Sequence, residues 1–115
     1  MNSFFYLSTW VTCKLIMKEL KVIEVRLQDI KKEAISDIQI DEMAELAGGY
    51  EPLFSRRSRQ YKAMDLQNQD LQGPDYRSLI LREYTFLKRP VLVYQERIFI
   101  GNSAANVAAM KDALS

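Results

Sequence analysis

The sequence predicts an α/β domain in which a four-stranded mixed sheet is flanked by helices, with a helical insertion between a βαβ part and a ββα part. Three observations carry this prediction. A helical stripe of apolar residues, Cys13, Ile16, Met17 and Leu20, lies between two short apolar runs near the N-terminus. Two further apolar runs, Val91-Leu92-Val93-Tyr94 and Arg97-Ile98-Phe99-Ile100, are separated only by Gln95-Glu96, and a final helical segment follows. The stretch between these halves is filled by helical patterns.

Each element has a local reason. Phe4-Phe5-Tyr6-Leu7 is rich in aromatic strand formers. Ser8-Thr9 can cap the helix that follows, whose apolar residues recur at i, i+3, i+4 and i+7 while Lys14 and Lys18 fall on the other side. Val22 to Leu27 reads as a second strand, with Ile23, Val25 and Leu27 alternating. A helix between two strands implies that they run parallel through a right-handed crossover. Ile40, Met43, Ala44 and Ala47 repeat at helical spacing, with Asp41 as a cap, and Gly48-Gly49 stops that helix. A second helical piece begins near Leu53-Phe54 and carries Arg56, Arg57, Arg59 and Lys62. Gly73-Pro74-Asp75 opens a third helix, with Tyr76, Leu79, Ile80, Tyr84 and Leu87 as its buried stripe. The hairpin around Gln95-Glu96 comes next. Gly101-Asn102-Ser103 then turns the chain into a last helix with Val107, Met110 and Leu114 facing inward. This order fits the thioredoxin-like plan. We expect one domain over residues 1–115, with a thioredoxin-like part at 1–35 and 88–115 and the insertion at 36–87.

Composition removes several functions. The chain has 115 residues, enough for one core without staples. With 16 basic and 15 acidic residues it offers no global attraction for nucleic acid or an anionic membrane. It has no histidine, which removes Ser-His-Asp and Cys-His catalysis and most zinc sites. One cysteine forms no internal disulfide. Asp41, Glu42 and Glu45 have no metal-binding spacing. The N-terminal apolar stretch is interrupted by Ser, Thr and Lys and has no basic leader, so neither a signal peptide nor a membrane span is expected. The expectation is a cytoplasmic domain with no nucleic-acid or membrane partner.

Five stretches, "STWVTCKLIMKEL", "DIKKEAIS", "LAGGYEPLFSRRSRQYK", "DYRSLILREYTFLKRPVLV" and "IFIGNSAANVAAMKDAL", carry a resemblance in order and spacing. Together they resemble the ArsC/Spx family of glutaredoxin-linked arsenate reductases and the redox-responsive regulator Spx. "FLKRPVLV" and the upstream "LFSRRS" are the most specific pieces. The resemblance implies a nucleophilic cysteine in the turn after the first strand, a position that corresponds here to Trp10. Cys13 matches the second cysteine of family members with a CxxC pair. Arg89 corresponds to the oxyanion-binding arginine of the "KRP" motif, and Pro90 is similar to the cis-proline facing the active-site loop. A mid-chain arginine corresponds to Arg57, with Arg56 as the alternative register. A further arginine after the last strand has no counterpart in "IGNSAAN". No bound cofactor is implied, with glutathione or glutaredoxin as co-substrate. Spx-like relatives act instead through a protein partner, RNA polymerase.

Thiol-dependent arsenate reduction needs a thiolate, cationic donors for a tetrahedral oxyanion and a second thiol to resolve the adduct. A helix N-terminus favours both thiolate and anion. Indole supplies no thiol, so Trp10 impairs the first step. Cys13 is the remaining candidate nucleophile, but its place on the apolar stripe favours a packed core thiol. Trp10 can plug the site, serve as a contact for a partner, or have no selected role. The basic cluster from Arg56 to Lys62 reads mainly as a solvated face, with Arg57 the exception.

Overall fold

The computed structural model describes residues 1–22 and 24–115. The chain forms two compact units, one of residues 1–33 and 89–115, the other of residues 34–88. The sheet belongs to the first. Its strands are β1 (Ser3–Tyr6), β2 (Arg26–Asp29), β3 (Val91–Tyr94) and β4 (Arg97–Ile100), in the order β2-β1-β3-β4. β1 and β2 are parallel, with Ser3 opposite Arg26 and Tyr6 opposite Asp29. β1 and β3, and β3 and β4, are antiparallel. This is the predicted four-stranded mixed sheet.

The register explains one face of the first unit's core. Phe4 lies opposite Leu92, and Leu92 opposite Phe99, so one row of apolar side chains crosses three strands. Helix α1 (Val11–Glu19) packs Ile16 and its cap residue Leu20 on this row. Helix α5 (Ala104–Ala113) adds Met110, with Val107 and Leu114 packed beside it. Full burial of a side chain such as Phe4 contributes about 2–3 kcal/mol. The hairpin between β3 and β4 closes with Gln95 at φ 50° and Glu96 at φ 61°. Two central residues in the left-handed region match the twist of the flanking strands. Ser103 caps α5 by accepting from the Asn106 N–H at 3.1 Å.

The second unit contains α2 (Asp37–Ala47), α3 (Arg59–Ala63) and α4 (Gly73–Arg82). Gly48 ends α2 at φ 84°, a left-handed conformation that glycine adopts without a Cβ penalty. Phe54 stacks on Phe86 at 5.0 Å and meets Tyr76 at 4.9 Å between ring centroids.

Several boundaries differ from the sequence expectations. The second strand is Arg26–Asp29 rather than Val22–Leu27, and Ile23 lies outside the described residues. Pairing with β1 sets the register. It leaves Leu27 43% exposed and buries Gln28, whose amide donates to the Glu33 carbonyl at 3.1 Å. Local hydrogen bonding thus lets a polar residue take the buried place. Asp41 lies inside α2 and does not cap it. Ser36 does, in a reciprocal pair with Gln39. Ser8 and Thr9 do not cap α1 either, whose N-cap residue is Trp10. The piece expected from Leu53-Phe54 is not one helix. Phe54 instead forms an antiparallel bridge with Leu87, and Ser55 N–H donates to the Phe86 carbonyl at 2.7 Å. That bridge holds the backbone extended, so Arg56 and Arg57 precede α3. It also takes Leu87 out of the α4 stripe, because α4 ends at Arg82 and Tyr84 is only half-buried.

Candidate functional site

The first unit brings four of the predicted site residues into one neighbourhood: Trp10, Cys13, Arg89 and Pro90. The chain leaves β1, turns at Leu7 to Trp10 and enters α1, and the Trp10 N–H donates to the Leu7 carbonyl at 3.0 Å. That turn sets Trp10 at the helix N-cap and Cys13 one turn inside. Arg89 and Pro90 lead into β3 on the neighbouring strand, and the Arg89–Pro90 peptide is cis. The Pro90 carbonyl accepts from the Gly101 N–H at 2.8 Å, which ties this step to the end of β4.

Trp10 is half-buried, and the Arg89 guanidinium carbon lies 5.2 Å from its ring centroid. This is cation–π distance. The arginine assigned to an oxyanion is therefore covered by the residue at the expected nucleophile position.

Cys13 is fully buried. Burial pushes its thiol above the ordinary value. A backbone hydrogen bond from Leu7 and the charge of Arg89 act in the opposite direction, while the Asp29 carboxylate adds to the rise. Burial decides the balance. The thiol stays protonated where a reactive thiolate would be needed.

Asp29 is a site residue that the sequence reading missed. It ends β2, is 9% exposed, and accepts from the Ser8 hydroxyl at 2.5 Å, the Ser8 N–H at 3.3 Å and the Lys31 N–H at 3.2 Å. Burial alone would raise its carboxyl. The hydrogen bonds from Ser8 and Lys31, helped by the charge of Lys32, outweigh that and hold it below the usual carboxylate range. Asp29 thus anchors the loop before α1 and opposes a thiolate at Cys13. Asp29 opens the stretch "DIKKEAIS" but was given no role there, and otherwise the advance signal was an acidic residue just after an apolar run.

Arg57 belongs to the second unit and is exposed. Arg56, the alternative register, donates to Glu51 at 2.9 Å and to the Tyr76 hydroxyl at 3.0 Å, with its guanidinium over the Phe54 and Tyr76 rings. Arg56 is a structural cation of that unit. Among the described residues no group of three or more His, Cys, Asp or Glu could hold a metal ion, and no helix is long and apolar enough to cross a membrane.

Comparison with protein families matches residues 11–110 to the ArsC family. Comparison with curated protein sequences gives no significant match. Among solved structures, a protein from Bacteroides fragilis described as ArsC family related superposes with a TM-score of 0.79 at 18% identity, over 96% of this chain and 98% of that one. An arsenate reductase from Vibrio cholerae gives 0.75 at 12% identity, over 98% and 97%. An arsenate reductase (ArsC) related protein from Brucella melitensis gives 0.71 at 21% identity, over 94% and 92%. At these identities the likeness is one of fold.

Proposed function

The chain belongs to the ArsC family, and from that premise we propose that it is an arsenate-reductase-like protein whose thiol chemistry is impaired and which acts by binding a protein partner in the cytoplasm. One observation carries this reading. The residue at the nucleophile position is an indole packed on Arg89, and the only thiol, Cys13, is fully buried beside it. Reduction of arsenate begins with a thiolate attacking arsenic and ends with a second thiol resolving the adduct. A protonated, enclosed thiol performs neither step. This reading assigns Arg89 and Pro90 to the frame of the oxyanion site. The role left to the domain is the Spx-like one, in which a protein partner reads the surface.

The test is arsenate turnover with glutathione and glutaredoxin as reductants. The wild-type chain is expected to stay at background. Trp10→Cys puts a thiol at the α1 N-cap beside Arg89, where helix and guanidinium both lower its pKa, and this variant is expected to gain turnover. Partner capture that persists in Cys13→Ala supports the binding role. Wild-type turnover that Cys13→Ala abolishes would overturn it. That outcome would favour a second reading, in which Cys13 forms a mixed disulfide with glutathione. The Leu7 hydrogen bond and the Arg89 charge favour that reading, since both stabilise the thiolate.

A further inference from the structure

Resting on the partner-binding reading above, we propose that the outward face of α1 is the surface that takes the protein partner, and that the partner offers it an acidic amphipathic helix.

The helical period sets Val11, Lys14, Leu15 and Lys18 on one arc of α1, away from the buried Cys13 and Ile16. Val11 and Leu15 are neighbours at i and i+4, and they are 67% and 57% exposed. Among the described residues no other helix exposes two large apolar side chains one turn apart. Trp10, at the N-cap directly before Val11, adds a half-buried indole whose ring faces Arg89. Bulky apolar and aromatic anchors of this kind supply most of the energy of a protein contact.

The charges along the arc have one sign. Lys14 and Lys18 are exposed, and among the described residues neither is engaged in an ion pair. The first turn of α1 has no acidic residue, and Glu19 stands at the rim of the face, at the end of the helix. Lys18 suits the helix dipole in the last turn, whereas Lys14 lies in the half nearer the positive end. An anion is therefore wanted most beside Lys14, where the helix end and the Arg89 guanidinium add to its field.

A partner helix answers both features in one spacing. Carboxylates one turn apart meet Lys14 and Lys18, and apolar side chains at the same interval cover Val11 and Leu15 and reach Trp10. A basic helix would set cations against both lysines and the positive end of α1. The net charge of +1 gives little attraction at a distance, so this local arrangement decides the choice of partner. Three anchors and two charge pairs make a small contact, so the affinity is modest and falls with salt.

The experiment is calorimetric titration of the full chain with a synthetic helix of about 18 residues, free of aromatic residues, with Leu on one face and Glu beside it. The same peptide with Lys for Glu and vesicles of anionic lipid are the competing probes. The acidic peptide is expected to bind at about 10–100 μM at low salt and to weaken in ~0.5 M salt, where charges are screened over a few ångströms. Trp10 emission is expected to move to shorter wavelength as the peptide covers the indole. Lys14→Glu/Lys18→Glu is expected to weaken binding at least about tenfold and to prefer the basic peptide. Leu15→Gln keeps the charges and is expected to weaken binding by a similar factor, while Lys62→Glu, on α3, is expected to change nothing. No binding of the acidic peptide, equal binding of the basic one, preference for the vesicles, binding with unchanged Trp10 emission, or equal loss in Lys62→Glu each overturns the proposal. The partner-binding reading fails separately, by arsenate turnover of the wild type that Cys13→Ala abolishes, whatever this titration gives.

Discussion

Alkylation of Cys13 by iodoacetamide turns the burial of this thiol into a measurable rate. With no exposed surface, Cys13 reacts only after the chain opens. The smallest opening that frees it lifts α1 from the sheet, which exposes Cys13, Ile16 and Leu20 together. At 1.5–3 kcal/mol for each large apolar side chain, that opening costs roughly 4–7 kcal/mol. Each 1.4 kcal/mol is a factor of ten, so native labelling should run about three to five decades slower than labelling in urea. The pH profile adds a second check. Burial holds the folded thiol above its unfolded value, so the stability it contributes is complete below about pH 8.5 and is lost as pH rises through the higher folded value. The wild-type urea midpoint should therefore fall more steeply above that pH than the midpoint of Cys13→Ala. Mass spectrometry of quenched samples gives the rate. Native labelling within tenfold of the unfolded rate, with a midpoint below about 8.5, would refute the reasoning and make Cys13 an accessible thiolate.

Three further outcomes follow from other parts of the molecule. Asp29→Asn removes the charge and replaces one of the two acceptor oxygens that serve Ser8 and Lys31 with an NH2 donor, and should cost about 1–3 kcal/mol at neutral pH in urea titrations. Because the Asp29 carboxyl is held low, that contribution should be present above the usual carboxylate range and disappear as pH falls through the depressed value, so wild type and variant converge in acid. Arg89→Gln removes the cation from the face of the chain's one tryptophan and should shift Trp10 emission to longer wavelength, while an unchanged spectrum would mean the indole does not depend on Arg89. Gly48→Ala forces a Cβ into the left-handed stop of α2 and should cost about 1 kcal/mol, read as a lower thermal midpoint.

The ArsC-family fold and an indole at the position where the resemblance expects the nucleophile need not conflict. Fold is set by the row Phe4, Leu92, Phe99 and by the helices packed on it. None of those residues is the one that would carry chemistry. A change at Trp10 therefore alters what the domain can do without altering what holds it together. Trp10 also offers a positive structural contribution, since its indole faces the Arg89 guanidinium at cation–π distance.

The sequence by itself determined the elements whose signals are local. The α1 stripe, the hairpin at Gln95-Glu96, the glycine stop of α2 and the last helix all rest on periodicity or turn chemistry within a few residues, and each is present. The presence of a single thiol on an apolar stripe was equally legible. Tertiary structure decided what depends on partners distant along the chain. It moved the second strand to Arg26–Asp29, because pairing with β1 rather than local alternation fixes register. It drew Phe54 out of a helical pattern, because Leu87 offered a bridge. It committed Arg56 to Glu51 and Tyr76, and it gave Asp29 the task of holding Ser8, 21 residues away. Periodicity reports which face of an element is buried. It carries no information on which distant donor meets which acceptor, and at this site those meetings determine whether a thiol can react.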